Sequence, residues 1–117
     1  MLISIRRMKR QRLMIVKIAD LIGRYAVSYR QGDALYDVLH TQLIVNGKPI
    51  ILDFASVNLT ATPFHNASIG RLLGLMSIER CIEMIDFQNM SLNDKYLLNV
   101  SISNALNHYA SKTNKSG

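Results

Sequence analysis

Hydrophobic and polar positions follow two different periods along this chain, and each change of period marks a new element. Residues 14–22 are mostly apolar and are followed by Gly23, which predicts a first strand and its end. A short second strand is predicted at 25–28. A compact apolar run at 48–54 predicts a central strand covered on both faces, with Pro49 tolerated near its start.

The segment between the second and the central strand has the pattern of an amphipathic helix. Ser28 and Gln31 fit a capping box, in which the Ser hydroxyl accepts an amide hydrogen bond and the Gln side chain reaches back. Asn46-Gly47 offers a left-handed stop. One apolar face follows the helical period: Leu35, Val38, Leu39, Gln42 and Leu43.

A second helix is predicted to start at the Thr-Pro pair that follows the central strand. Thr62 is expected to cap it and Pro63 to be its first residue, where a missing amide proton costs nothing. The helix is predicted to run to about Met76. Asn66, Gly70 and Gly74 are spaced by four, so we expect a small-residue face packed closely on a sheet.

The remaining pattern predicts one more strand and one more helix. Residues 82–88 partly alternate, as in a half-exposed strand. Ser91 and Asp94 repeat the capping logic before a last helix. Its apolar stripe consists of Leu98, Ile102, Ala105, Leu106 and Tyr109.

This element order predicts the fold class and the extent of the domain. We expect a single α/β domain, with right-handed crossovers around a small mixed β-sheet of about four strands packed by about three helices. The predicted boundaries are a basic N-terminal arm at 1–13, the domain at 14–110 and a disordered polar tail at 111–117.

The distribution of charge tests whether nucleic acid is the partner. The chain carries 14 basic and 8 acidic residues, for a net charge of +6. Five of the basic residues lie in the arm: Arg6, Arg7, Lys9, Arg10 and Arg12. Residues 13–111 carry 7 basic and 8 acidic residues, hence 7 − 8 = −1. A nucleic-acid-associated accessory protein whose arm contacts phosphates is therefore the alternative function rather than the first.

Residue types that support catalysis or metal binding are scattered. His40, His65 and His108 are far apart in sequence, Cys81 is the single cysteine, and no metal-ligand or phosphate-loop spacing occurs. We therefore expect no enzyme activity, no cofactor and no metal, and a packing role for Cys81. A single cysteine, the lack of a leader and the lack of a membrane-spanning stretch predict a cytoplasmic protein.

The loop 58–63, together with the helix that starts at Pro63, is the part of the chain predicted to dock a partner. It follows the carboxyl end of the central strand, where open α/β sheets bind ligands and partners, and it opens a helix. Thr60, Thr62, Phe64, His65 and Asn66 are the candidate partner-binding residues. The alternative is purely structural, with Thr62 capping the helix and Asn66 bonding the loop.

The central motif resembles a known family. The run Ile51-Leu-Asp-Phe-Ala-Ser-Val57, followed by Thr60-Ala-Thr-Pro-Phe-His-Asn-Ala-Ser-Ile-Gly-Arg-Leu72, is similar to the signature of the STAS-like domain family. Its members are small bacterial relatives of the sulphate transporter and anti-sigma factor antagonist domain. The resemblance extends more weakly over 14–109.

The resemblance implies a non-enzymatic signalling module that docks a protein partner, in the antagonists often a kinase-like ATP-binding protein. It leaves open whether the domain forms a homo-oligomer. The antagonists carry Asp-Ser-Ser-Gly at this loop, and the second Ser is the phosphorylated switch. Ala61, Thr62 and Pro63 stand at the Asp and the two Ser positions. Because proline has no hydroxyl, the switch does not carry over, and Thr62 is the candidate substitute phosphoacceptor, with Thr60 beside it.

Overall fold

The computed structural model describes the backbone of residues 14–116 and the side chains of residues 14–110. The described residues contain five strands and five α-helices. In chain order they are β1 (Met14–Lys17), α1 (Ile18–Leu21), β2 (Tyr25–Ala26), α2 (Tyr29–Leu39), β3 (Ile50–Asp53), β4 (Leu59–Thr60), α3 (Thr62–His65), α4 (Ile78–Met84), β5 (Ile85–Gln88) and α5 (Leu92–Ser116). Helices α2 and α3 continue directly into the π-helical segments His40–Val45 and Asn66–Gly70.

The strands form two parallel sheets instead of one mixed sheet. A three-stranded sheet has the order β1-β3-β5, with Ile50 of β3 opposite Met14 and Ile85, and a two-stranded ribbon pairs β2 with β4. Helices connect the strands of each sheet, which is the usual way to make parallel neighbours. The predicted α/β class is confirmed, and β3 is the buried central strand that its apolar run predicted.

The first strand is shorter than the pattern predicted. Its register with β3 ends at Lys17 opposite Asp53, so later residues have no strand partner. From Ile18 the chain turns into α1, and the Ile22 amide donates to the Ile18 carbonyl over 2.8 Å. Ile18 is fully buried, so this residue owes its apolar character to core packing and not to a strand.

Helix α2 starts where the sequence predicted, and the π-helical segment that continues it ends at the predicted stop. The Ser28 hydroxyl accepts from the Gln31 amide, and the Gln31 Oε1 accepts from the Ser28 amide, which completes the capping box. Gly47 has φ +63° and ends the helical segment. Four of the five residues of the predicted apolar face are buried, and Val38 packs against them: Leu35, Leu39, Gln42 and Leu43.

Helix α3 begins one residue earlier than predicted. Ala61 occupies the cap position with extended backbone angles, φ −140° and ψ 158°, and its amide donates to the Ala26 carbonyl in the ribbon. Thr62 is therefore the first helical residue, and the cap residue Ala61 makes no side-chain capping bond. The hydrogen bond to Ala26 holds Ala61 extended beyond the end of β4, which overrides the preference of threonine for the cap.

The small-residue face packs on a helix and not on a sheet. A Cβ atom on Gly74 would lie 2.7 Å from the Tyr109 hydroxyl oxygen, and one on Gly70 would lie 3.9 Å from the Ala105 Cβ. Both contacts are with α5. The predicted close approach is therefore present, but the neighbour is the last helix.

The carboxyl-terminal elements differ in extent from the sequence pattern. Helix α4 continues to Met84, so that only Ile85–Gln88 of the predicted strand 82–88 is extended. Ser91 caps α5 as predicted, because its hydroxyl accepts from the Asp94 amide over 3.1 Å. The α5 backbone is helical to Ser116, into the stretch 111–117 for which composition predicted a disordered tail.

Candidate functional site

Three polar side chains meet inside the domain beside the start of α3. The Thr60 hydroxyl donates to Oδ1 of Asp94 over 2.7 Å, and Nε2 of His65 lies 2.8 Å from the Thr60 oxygen. Their exposed fractions are 2% for Thr60, 1% for His65 and 4% for Asp94. We call these residues the Thr-His-Asp network.

Local structure explains why these side chains face one another. Alternation along β4 places Leu59 outside and Thr60 inside. Helix α3 brings His65 back over β4, and the Ser91 cap places Asp94 in the first turn of α5, where a carboxylate is favoured by the helix dipole. The network thus joins the ribbon, α3 and α5.

The hydrogen bonds of the Thr60 hydroxyl determine the tautomer of His65. A threonine hydroxyl has one proton, and here it goes to Asp94, so the Thr60 oxygen accepts from the Nε2–H of His65. Burial lowers the pKa of His65 to about 4, and the nearby Asp94 charge opposes this only in part. His65 is therefore a neutral donor at pH 7.

Imidazole, hydroxyl and carboxylate are also the groups of nucleophilic catalysis, but their burial decides against that role in this conformation. No substrate reaches a threonine oxygen whose residue is 2% exposed and whose proton is already held by a carboxylate. The three side chains of the network instead hold the surrounding backbone in position. It ties the β4–α3 junction to the start of α5 through two short hydrogen bonds.

The structure separates the five predicted partner-binding residues into two groups. Thr60 and His65 belong to the network, and Phe64 is fully buried in the core. In this conformation β4 and α3 turn these three side chains inward, and their role in partner binding stays a prediction. Thr62 and Asn66 are half-buried and accessible.

Asp94 is the network residue that the sequence did not identify as part of the site. Its capping pattern with Ser91 was visible, and it explains the position of the residue in the first turn of α5. Its partner Thr60 lies 34 residues earlier in the chain. The periodicity of neighbouring residues does not predict a contact between residues so far apart in the chain.

Other candidate groups lie apart from this network. Cys81 is buried, and burial raises its thiol pKa to about 11, which favours packing over reactivity. Within residues 14–110, no group of three or more His, Cys, Asp or Glu side chains is placed to hold a metal ion. None of the described helices combines the length and apolar character needed to cross a membrane. The candidate nucleic-acid residues Arg6, Arg7, Lys9, Arg10 and Arg12 lie outside the described residues.

The geometry defines the class of protein. It is an α/β domain with parallel strands and a buried polar network behind the strand-to-helix junction. A scan against protein families matches residues 31–95 to the family described as a STAS-like domain of unknown function (DUF4325). This segment is more than half of the chain and contains all three network residues. The chain therefore belongs to the STAS-like domain family, which confirms the resemblance of its central motif. Searches of curated proteins and of solved structures found no match.

Replacing Asp94 with alanine is expected to destabilise the protein by about 2 kcal/mol, because Thr60 then loses a buried, charge-assisted partner. Urea unfolding of the wild type, Asp94→Ala, Thr60→Val and the double variant measures this loss and the coupling between the two side chains. Asn93→Ala, an exposed neighbour in the same helical turn, is the control and should change stability by less than about 0.5 kcal/mol. Additive effects of Asp94→Ala and Thr60→Val would show that the hydrogen bond contributes nothing.

Proposed function

We propose that this STAS-like domain is a non-enzymatic regulatory module that docks a protein partner on the outer face of the β2–β4 ribbon and the adjoining loop 58–63. The observation that carries the proposal is an exposed apolar pair. Tyr25 and Leu59 are directly opposite each other in the ribbon, and their exposed fractions are 57% and 47%. Val27, two residues beyond Tyr25, extends the same side and is 38% exposed. We call Tyr25, Val27 and Leu59 the ribbon face.

The contacts beneath and beside the ribbon support the ribbon face as the docking surface. Behind Leu59, Thr60 is held by the Thr-His-Asp network, so the ribbon face rests on a fixed layer. On the outer edge of β2, the Gln31 side chain donates to the Tyr25 carbonyl and accepts from the Val27 amide, both over 2.9 Å. A rigid apolar face loses little conformational entropy on binding, which favours specific docking.

Charge and topology leave docking as the best-supported role. Residues 13–111 carry a net charge of −1, and the catalytic residue types near the junction are buried. A kinase-like ATP-binding protein is the partner class that the family resemblance suggests, and we keep it as part of the proposal. Cytoplasmic location and a signalling role are likewise proposed.

Thr62 is proposed as the residue that phosphorylation would modify. It is the first residue of α3, whose cap position is held by Ala61, so a phosphate there would gain the favourable end of the helix dipole without breaking a side-chain cap. Intact-mass analysis of protein from its native host tests this. A spectrum without a phosphorylated form under every growth condition would remove Thr62 from the proposal.

Docking is tested by charge substitution on the ribbon face. Leu59→Glu and Tyr25→Glu are expected to reduce recovery of the partner in a quantitative pull-down from the native host by at least about tenfold, because a charge is then buried without a partner. Ile82→Glu is the matched control, since Ile82 is an equally apolar residue, 67% exposed, on α4. Circular dichroism confirms that each variant folds. Equal recovery by all three variants would place the docking surface elsewhere.

A further inference from the structure

The three-stranded sheet has a second face, turned away from the hydrophobic core. Because side chains alternate along a strand and Ile50 and Leu52 of β3 lie in the core, Ile51 and Asp53 point to the other side. The register of the parallel strands adds their neighbours on β1 and β5. We call the resulting two rows the open sheet face: Ile15, Ile51 and Asp86, then Lys17, Asp53 and Gln88.

The exposure of this face is unusual for a parallel sheet, since such sheets are normally covered on both sides. Ile15 is 57% exposed, and Gln88 is exposed at the opposite edge. Ile51 is 7% exposed but does not belong to the contiguous hydrophobic core. The apolar pair Ile15 and Ile51 therefore lies on the open side of the sheet, where a covering segment would remove Ile15 from water.

The charges of the open sheet face favour a basic covering segment. Its two rows contain Asp53 and Asp86 but only one cation, Lys17, which lies opposite Asp53 in the register. Asp86 accepts a hydrogen bond from Gln88 over 2.9 Å, and within residues 14–110 neither carboxylate forms an ion pair. Aspartate is also depleted in strands. The half-buried Asp86 carboxylate is therefore the group on this face that would gain most from a cation.

The chain itself contains a basic segment next to this face. The arm, residues 1–13, joins β1 at Met14, one residue before Ile15. It contains five of the 14 basic residues and no acidic residue. Asp86 lies two strands away from β1, about 10 Å, a distance that about three extended residues span. The arm is therefore long enough to reach Asp86, and it also contains apolar side chains for Ile15 and Ile51: Leu2, Ile3, Ile5, Met8 and Leu13.

We propose that the open sheet face is the docking surface for the basic arm of the same chain, with an arm cation against Asp86 and arm apolar side chains against Ile15 and Ile51. The contact keeps the charges of the arm on the domain and away from phosphates or an acidic partner. A partner that binds the arm more tightly would release it and uncover the open sheet face. This inference does not depend on docking at the ribbon face, because β2 and β4 form the other sheet.

Trypsin digestion of the full chain tests this contact, because the arm contains five basic cleavage sites that docking would shield. The rate of cleavage within residues 1–13 is followed by intact-mass spectrometry. A synthetic peptide with the sequence of the arm gives the rate without docking. The arm of the full chain is expected to be cut about fivefold more slowly than the peptide, because cleavage follows the undocked fraction.

Four variants identify the surface. Asp86→Lys and Ile15→Ser are expected to raise the cleavage rate of the arm to that of the peptide. Glu79→Lys and Ile82→Ser are the matched controls, since both residues are exposed on α4, and they should keep the wild-type rate. Circular dichroism confirms that every variant folds.

The choice of the arm as occupant is overturned by any of the following results. The arm of the wild type could be cut as fast as the peptide, or Asp86→Lys and Glu79→Lys could give equal rates. Protection that falls when the protein is diluted would mean that the arm docks on a second copy of the chain.

Discussion

Acidification from pH 6.5 to pH 4 is expected to remove about 3 kcal/mol of stability through His65 alone. The pKa of His65 is about 4 in the folded protein and 6.5 in the absence of structure, and a difference of this size corresponds to about 3 kcal/mol. Between these values the unfolded chain binds a proton that the folded protein does not. Stability from this group is therefore complete above pH 6.5, falls as the pH is lowered towards 4, and changes no further below that.

Urea unfolding at a series of pH values measures this dependence. His65→Gln keeps an N–H donor for Thr60 but cannot titrate, so its stability should decline less steeply than that of the wild type over the same range. His108→Gln, an exposed histidine on α5, is the control and should follow the wild-type curve. Parallel curves for the wild type and His65→Gln would mean that His65 is not held neutral by the fold.

The helix boundaries near polar caps were predictable because their signals are local. Ser28 with Gln31, and Ser91 with Asp94, each satisfy helix amides within three residues, so the sequence contains the whole interaction. The start of α3 was not predictable in the same way. Ala61 is held extended by a carbonyl 35 residues earlier, at Ala26, and this tertiary bond decides the boundary.

The local sequence pattern also could not predict the lengths of the strands or their division between two sheets. An apolar run such as 14–22 does not distinguish strand from helix: it forms a strand as far as Lys17 and a helical turn from Ile18, and Ile18 is its one buried residue. The length of β1 is set by the register with β3. The two residues of β4 give too short an alternation to be read, although they place Thr60 inside and Leu59 outside.

The sequence pattern predicted which residues lie together at this junction but not how deeply they are buried. Sequence reasoning grouped Thr60, His65 and Asn66 at one junction, and the structure brings Thr60 and His65 within 2.8 Å. Their burial depends on the position of α5, which supplies Asp94 from the far end of the matched segment 31–95. A polar cluster beside a helix start therefore indicates either a binding surface or its support, and only the packing of a distant helix distinguishes the two.

Gly32 is the position where a single methyl group should do the most damage. Its Cβ would lie 2.5 Å from the Phe64 carbonyl oxygen and 2.7 Å from the Ala67 Cβ, so that α2 and α3 could not keep their present separation. Since Phe64 precedes His65, displacement of that backbone also disturbs the Thr-His-Asp network. We expect Gly32→Val to destabilise the protein by about 3 kcal/mol, and Gly32→Ala by less, because alanine recovers about 1 kcal/mol of helix propensity.

Gly70 provides the matched comparison for this prediction. It also lies in a helical segment facing another helix, but its Cβ would be 3.4 Å from the nearest heavy atom, the His65 carbonyl oxygen. Gly70→Ala should therefore leave the free energy of unfolding unchanged or raise it by up to about 1 kcal/mol. Thermal and urea unfolding of the Gly32 and Gly70 variants measure both effects. Equal stability of Gly32→Ala and Gly70→Ala would mean that the close approach of α2 to Phe64 is not a requirement of the fold, because of the two glycines only Gly32 makes such a contact.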